Sequence, residues 1–258
     1  PKQHWHIDDN KANNTFFCLE KHIEVHPNIF FTDFLPKITH FVKSDYKTYW
    51  ESIKQMRNKK HDEFTKDAVF SDFKVFDTLL KSLPNDSILQ VGNSSAVRYI
   101  QLFDVNPSVE VFCNRGTSGI DGSTSTAIGC ATVRDKQTIL VTGDLSFFYD
   151  SNALWNNYIP KNFRIVVINN GGGGIFRILP GHKNTDNFDY YFETKHELSA
   201  KQLSKMYNFE YSQTDSDKQL KLKLKTFFAE SDTPKLLEIF TPRLINDEEL
   251  LNYFNAIK

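Results

Sequence analysis

The stretch LVTGDLSFFYDSNALWNNYIPKNFRIVVINNGGGGIFRILPG, residues 140–181, decides how the rest of the chain is read. A short apolar run ends in Gly143-Asp144, a helical crossover follows, and a second apolar run ends in Asn169-Asn170 and four glycines. Continuous apolar runs of this length, bounded by turn residues, read as strands buried on both faces of a parallel sheet. Asp144 and Asn170 lie 26 positions apart (170 − 144), the length of a crossover between neighbouring parallel strands. A hard divalent cation such as Mg²⁺ takes about six oxygen ligands, commonly one or two protein side chains plus phosphate oxygens and water. The carboxylate of Asp144, the carboxamide oxygen of Asn170 and a backbone carbonyl from the glycine turn would suit it. Gly143 and a helix beginning near Ser146 would offer amides to phosphate oxygens, and the glycines would let the backbone approach the ligand. Taken singly, Asp144 reads as a helix cap and Asn-Gly as a turn; the pair at this spacing points to a cation.

Working outward, the same strand-then-turn pattern recurs. Residues 87–91 form a short strand ending in Gly92-Asn93-Ser94-Ser95, and a helix follows through Arg98 and Phe103. Residues 109–113 end in NRGTSGIDG (114–122), followed by a helix of small residues over 123–133. Residues 234–240 read as a further strand, after helices near 200–207 and 218–229. This alternation predicts an α/β fold, a doubly wound and mainly parallel sheet flanked by helices. In such sheets ligands sit beyond the carboxyl ends of the strands. Four successive strands here end in Gly, Asn, Ser, Asp or Arg. Upstream, Tyr46, Tyr49, Trp50, Ile53 and Met56 recur at helical spacing. The charged run RNKKHDE (57–63) is expected to interrupt that helix. A second helix follows, with Val69, Phe73, Phe76, Leu79, Leu80 and Leu83 as its apolar stripe.

Composition sets limits. At 258 residues the chain is long enough for one large domain and a smaller piece. A net charge of −1 gives no attraction to nucleic acid or membrane surfaces. Three widely spaced cysteines outside any CxxC pattern read as buried thiols of a reducing compartment. No apolar run approaches the length of a membrane span, so the expected location is cytoplasmic. Pro1 followed by HWHIDD reads as the interior of a longer polypeptide.

Gly143-Asp144 followed after a crossover by Asn169-Asn170 resembles the cofactor motif of thiamine-diphosphate-dependent enzymes, with Leu145 where that motif carries another glycine. NRGTSGIDGSTSTAIG, GDLSFFYDSNALW and NNGGGGIFRILPG resemble the family of synthases that make 2-succinyl-5-enolpyruvyl-6-hydroxy-3-cyclohexene-1-carboxylate in menaquinone biosynthesis. The resemblance covers residues 44–258 as the diphosphate-binding domain, with residues 1–43 as the end of a central domain. It implies thiamine diphosphate with Mg²⁺, or Mn²⁺, as cofactors. Asp144, Asn170 and the carbonyl of Gly172 would hold the metal, and Gly143 and Ser146 would line the diphosphate. Ile120 matches the bulky residue that bends the cofactor. Ser94, Arg98 and Arg115 match substrate-facing positions, and Ile175, Phe176 and Leu179 an apolar wall. The substrates implied are 2-oxoglutarate and isochorismate, both multiply anionic. An arginine grips such carboxylates through paired hydrogen bonds. The activating glutamate would come from a pyrimidine-binding domain of the same or a partner subunit in a homodimer or homotetramer. No catalytic residue is therefore assigned within this stretch, which is expected to be inactive alone.

Two other readings use the same residues. Another thiamine-diphosphate decarboxylase or carboligase would share Asp144 and Asn170 without needing Ser94, Arg98 and Arg115. A non-catalytic assembly module could retain the cofactor ligands. The lack of GxxxxGK[ST] argues against an ordinary phosphate-loop nucleotide enzyme. Residues 181–196, polar and aromatic without periodicity, are expected to order over the site or a neighbouring subunit. Phe147, Phe148 and Trp155 are expected to serve helix packing or subunit contact.

Overall fold

The computed structural model describes residues 1–41, 43–179, 181 and 185–258. They divide into two compact units, 1–54 and 55–258. The first holds a parallel pair, β1 (His4–Ile7) and β2 (Leu19–Ile23), then helix α1 (Pro27–Phe34) and the start of α2 (Tyr46–Asp67). α2 runs unbroken through RNKKHDE, correcting the expected interruption. Lys, Arg and Glu are good helix formers, and Lys59 and Glu63, one turn apart, lie 4.0 Å from each other on the exposed face. Charge there marks a solvated face rather than a break.

The second unit opens with the rest of α2 and continues in α3 (Asp72–Leu80), capped by Ser71, whose hydroxyl oxygen accepts from the Lys74 amide. Val69 precedes that cap and is half exposed, so the buried stripe starts at Phe73. Six strands follow: β3 (Ile88–Val91), β4 (Glu110–Cys113), β5 (Thr138–Gly143), β6 (Arg164–Asn169), β7 (Glu210–Thr214) and β8 (Lys235–Phe240). All pair in parallel in the order β4-β3-β5-β6-β8-β7. The interleaved helices are α4 (Ser95–Ile100), α5 (Ser123–Val133), α6 (Asp144–Tyr149), α7 (Ile175–Ile178), α8 (Lys201–Met206), α9 (Asp217–Phe227) and α10 (Asn246–Ala256). This is the doubly wound α/β layer that the alternating pattern predicts.

Alternation along the strands makes two cores. Ile139 and Val141 of β5, with Val166 and Ile168 of β6, face α3, α4, α9 and α10. Leu140, Ile165 and Val167 point the other way, into a cluster with Ala127, Phe147 and Leu154. Each such side chain, fully buried, contributes about 1.5–3 kcal/mol, and the period-two alternation fixes which face each serves. Of the three expected packing aromatics, Phe147 is fully buried, Phe148 is partly buried, and Trp155 is 81% exposed. The sequence pattern does not predict β7 or α10. β7 is the edge strand EYSQT, too polar to stand out. The three cysteines are free but half-buried rather than buried. Among the described residues, no helix is long and apolar enough to cross a membrane.

The order β4-β3-β5 places the topological switch between β3 and β5. There the connections depart to opposite sides, and a crevice opens beyond the carboxyl ends.

Candidate cofactor site

Four strand ends supply the crevice. β3 leads into Asn93 and Ser94, β4 into the loop carrying Arg115 and Ile120, β5 into Asp144, and β6 into Asn170 and the glycine run. A cavity of about 430 Å³ lies between them. It is lined by every residue expected from the sequence: Ser94, Arg98, Arg115, Ile120, Gly143, Asp144, Ser146, Asn170, Gly172, Ile175, Phe176 and Leu179.

Asp144 is the first residue of α6, so the helix starts two positions earlier than expected. Its side chain is buried, and its oxygens accept from backbone amides: Oδ1 from Leu145 at 2.6 Å, Oδ2 from Gly171 at 2.9 Å and Gly172 at 3.1 Å. His196 Nε2 lies 3.2 Å from the same Oδ2 without hydrogen-bond geometry. The Leu198 amide donates to His196 Nδ1, which leaves the ring proton on Nε2. The Asn170 side chain donates from Nδ2 to Asp72 Oδ2 at 2.9 Å, while its Oδ1 is buried and has no partner among the described residues. The Gly172 carbonyl accepts from the Gly174 amide at 3.0 Å, and a carbonyl oxygen retains a second lone pair.

These features fit a hard cation with an anionic ligand. A buried, unpartnered amide oxygen costs free energy unless something supplies a partner, and a carboxylate lines the same cavity. A Cβ at Gly143 would meet nothing within 4 Å, leaving room beside both. Among the described residues no three His, Cys, Asp or Glu side chains cluster as a metal site. A cation here would therefore depend on the amide, backbone and ligand oxygens.

Arg115 and Arg98 border the other side. Arg115 Nη1 donates to Asn93 Oδ1 at 2.5 Å, and Asn93 Nδ2 donates to the Gly119 carbonyl at 3.0 Å. Asn93 thus ties the Arg115–Ile120 loop to β3. Ser146 donates its hydroxyl to the Ile120 carbonyl and so fixes where Ile120 stands. Ser94 caps α4 with φ of +70°, a left-handed conformation, and Arg98 Nη1 donates to its carbonyl at 2.9 Å. Both face the cavity, as the four-residue spacing predicts.

The glycine run works differently from expectation. A Cβ on Gly172, whose φ is +151°, would approach the Glu193 carbonyl at 2.7 Å. The Gly173 amide donates to that carbonyl at 2.6 Å, and the His196 amide to the Gly171 carbonyl at 3.2 Å. The close approach admitted by these glycines is made by the chain's own segment around 188–196. Glu193 is fully buried there, paired with Arg177 and, at 2.8 Å, with Arg243. Of the stretch 181–196, His182, Lys183 and Asn184 lie outside the described residues.

Asp72, Asn93, Glu193 and His196 carry the geometry of the site and were not singled out from sequence. Burial pushes the Asp72 carboxyl up to about 6, and the charge of Asp144 adds to the rise, while bonds from Thr241 and Asn170 pull it down. Thr241 Oγ1 donates to Asp72 Oδ1 at 2.6 Å.

Residues 90–239 match the family described as thiamine pyrophosphate enzyme, C-terminal TPP binding domain, and the chain belongs to that family. Its similarity to particular proteins runs through the whole chain. It is 57% identical to a protein of Flavobacterium psychrophilum, 52% to one of Flavobacterium johnsoniae and 54% to one of Christiangramia forsetii. Each of these is named 2-succinyl-5-enolpyruvyl-6-hydroxy-3-cyclohexene-1-carboxylate synthase. The match covers all of this chain but 44–46% of each relative, so the chain spans about half their length.

Proposed function

We propose that residues 44–258 are the diphosphate-binding domain of a synthase that uses thiamine diphosphate and Mg²⁺ to join 2-oxoglutarate, with loss of CO₂, to isochorismate. The product is 2-succinyl-5-enolpyruvyl-6-hydroxy-3-cyclohexene-1-carboxylate, and the pathway is menaquinone biosynthesis. The observation that carries this reading is the convergence of four strand ends on one cavity, with Asp144 and the unpartnered Asn170 Oδ1 on one side and Arg98 and Arg115 on the other.

When bound, thiamine diphosphate supplies the reactive carbon at which a 2-oxo acid loses CO₂ and becomes nucleophilic. The chain's own residues bind and orient. Asp144, Asn170 and the Gly172 carbonyl hold the metal, and Gly143 and Ser146 line the diphosphate. Ile120, set by Ser146, would brace the cofactor. Ser94, Arg98 and Arg115 receive the substrate carboxylates, and Ile175, Phe176 and Leu179 form the apolar wall that limits water. The proton-moving glutamate belongs to a pyrimidine-binding domain of the same or a partner subunit in a homodimer or homotetramer. Residues 1–43 are the end of the central domain.

The test is turnover with both substrates, thiamine diphosphate and Mg²⁺. The complete polypeptide should form product, and residues 1–258 alone should not. Product formation with a simple aldehyde but not isochorismate would instead indicate a different carboligase of the same cofactor class. CO₂ release by residues 1–258 alone would overturn the division of labour.

A further inference from the structure

Asp72 has no place in the roles above, yet it is 3% exposed and touches the proposed metal side of the cavity. It opens α3 and is held on three sides. Thr241 Oγ1 donates to its Oδ1 at 2.6 Å, Asn170 Nδ2 donates to its Oδ2 at 2.9 Å, and its own amide donates to Asn246 Oδ1 at 2.8 Å. Thr241 directly follows β8 and Asn170 directly follows β6, so one carboxylate ties a helix start to two strand ends.

The chemistry of that contact is directional. An ionised carboxylate only accepts hydrogen bonds, whereas a carboxamide has one donating and one accepting end. With Asp72 on one side, only the NH₂ of Asn170 can face it, so Oδ1 must turn to the other side, where it is buried without a partner among the described residues. A flipped amide would set two oxygens against each other and turn nitrogen, which does not ligate a hard cation, toward the cavity. We propose that Asp72 is a positioning residue that locks the Asn170 amide with its oxygen toward the metal. The proposal rests on the cation reading of Asp144 and Asn170.

Outer partners that orient metal ligands commonly change affinity by about 10–100-fold when substituted. The test is calorimetric titration of Mg²⁺ into the complete polypeptide in the presence of excess thiamine diphosphate, together with thermal unfolding of the metal-free protein. Asp72→Asn keeps the size of the side chain and an oxygen for Thr241, but its NH₂ can accommodate a flipped Asn170. It should weaken Mg²⁺ roughly tenfold or more while leaving metal-free unfolding near that of the unsubstituted protein. Combining Asp72→Asn with Asn170→Asp exchanges donor and acceptor at constant total charge, and it should recover most of the lost affinity. Mg²⁺ binding by Asp72→Asn within about twofold of the unsubstituted protein, against the expected change, would overturn the proposal, as would a double variant no better than the single one. If Asn170→Ala and Asp144→Ala also bind Mg²⁺ unchanged, the cation reading itself fails and this inference falls with it.

Discussion

At the amino end of β6 the guanidinium of Arg164 is fully buried and donates to the carbonyls of Phe227, Lys161, Phe163 and Ala229. Just past the carboxyl end of the same strand, Asn170 leaves its side-chain oxygen buried and, among the described residues, unpaired. Both ends bury a polar group; one end spends every contact on the chain itself, and the other withholds one. A closed network of this kind serves structure, because each desolvated donor finds its acceptor within the fold. An open valence at a strand's carboxyl end, across a cavity from two arginines, is what the proposed ligand site calls for.

Substitutions at the two ends should therefore separate cleanly. Arg164→Ala removes the donors from four carbonyls and should lower unfolding free energy by about 4 kcal/mol, read by urea titration, with cofactor affinity unchanged in the folded fraction. Loss of affinity in that fraction would break the contrast. Asp144→Ala should act through the ligand instead. At about a hundred times its Kd, Mg²⁺ with thiamine diphosphate stabilises a protein by about 2.7 kcal/mol, and this gain should vanish in the variant; a retained shift in melting temperature would sink the assignment. Gly172→Ala forces a side chain into a left-handed site against the Glu193 carbonyl and should cost about 2 kcal/mol, seen as a lower urea midpoint with or without cofactor. Arg98→Ala, at an exposed position bonded among the described residues only to the Ser94 carbonyl, should change stability by less than about 0.5 kcal/mol. It should nevertheless raise KM for an anionic substrate roughly tenfold or more, the value of a charged hydrogen bond; unchanged KM would remove Arg98 from the substrate side.

Much of this arrangement is legible in the chain because the site lies at strand ends. Apolar runs such as residues 139–141 and 165–168 announce buried strands, and the polar residues that stop them, Asp144 and Asn170, are the ones that reach the crevice. The glycine run was legible as a place of close approach but not as to what approaches. Glu193 lies 21 positions beyond Gly172 (193 − 172) in a stretch without periodicity, so nothing local marks it as the partner. Asp72 was hidden for a similar reason. At the start of α3 it reads as an ordinary acidic first-turn residue, favourable at any helix start. Its contact with Asn170 spans 98 positions and exists only once α3 lies at the carboxyl end of β6. The charge of RNKKHDE reads as a break, whereas its helix propensity carries α2 through it.

The cavity draws on turns that follow four different strands, so no single hairpin or βα unit contains it. Contacts between residues so distant in sequence form late, since chain closure must precede them. A half-assembled sheet therefore offers nothing for a cofactor to hold. Bound cofactor should then slow unfolding, by stabilising contacts absent from the transition state, while leaving the refolding rate almost untouched. The supply of cofactor would govern how long a finished molecule lasts rather than how quickly one is made.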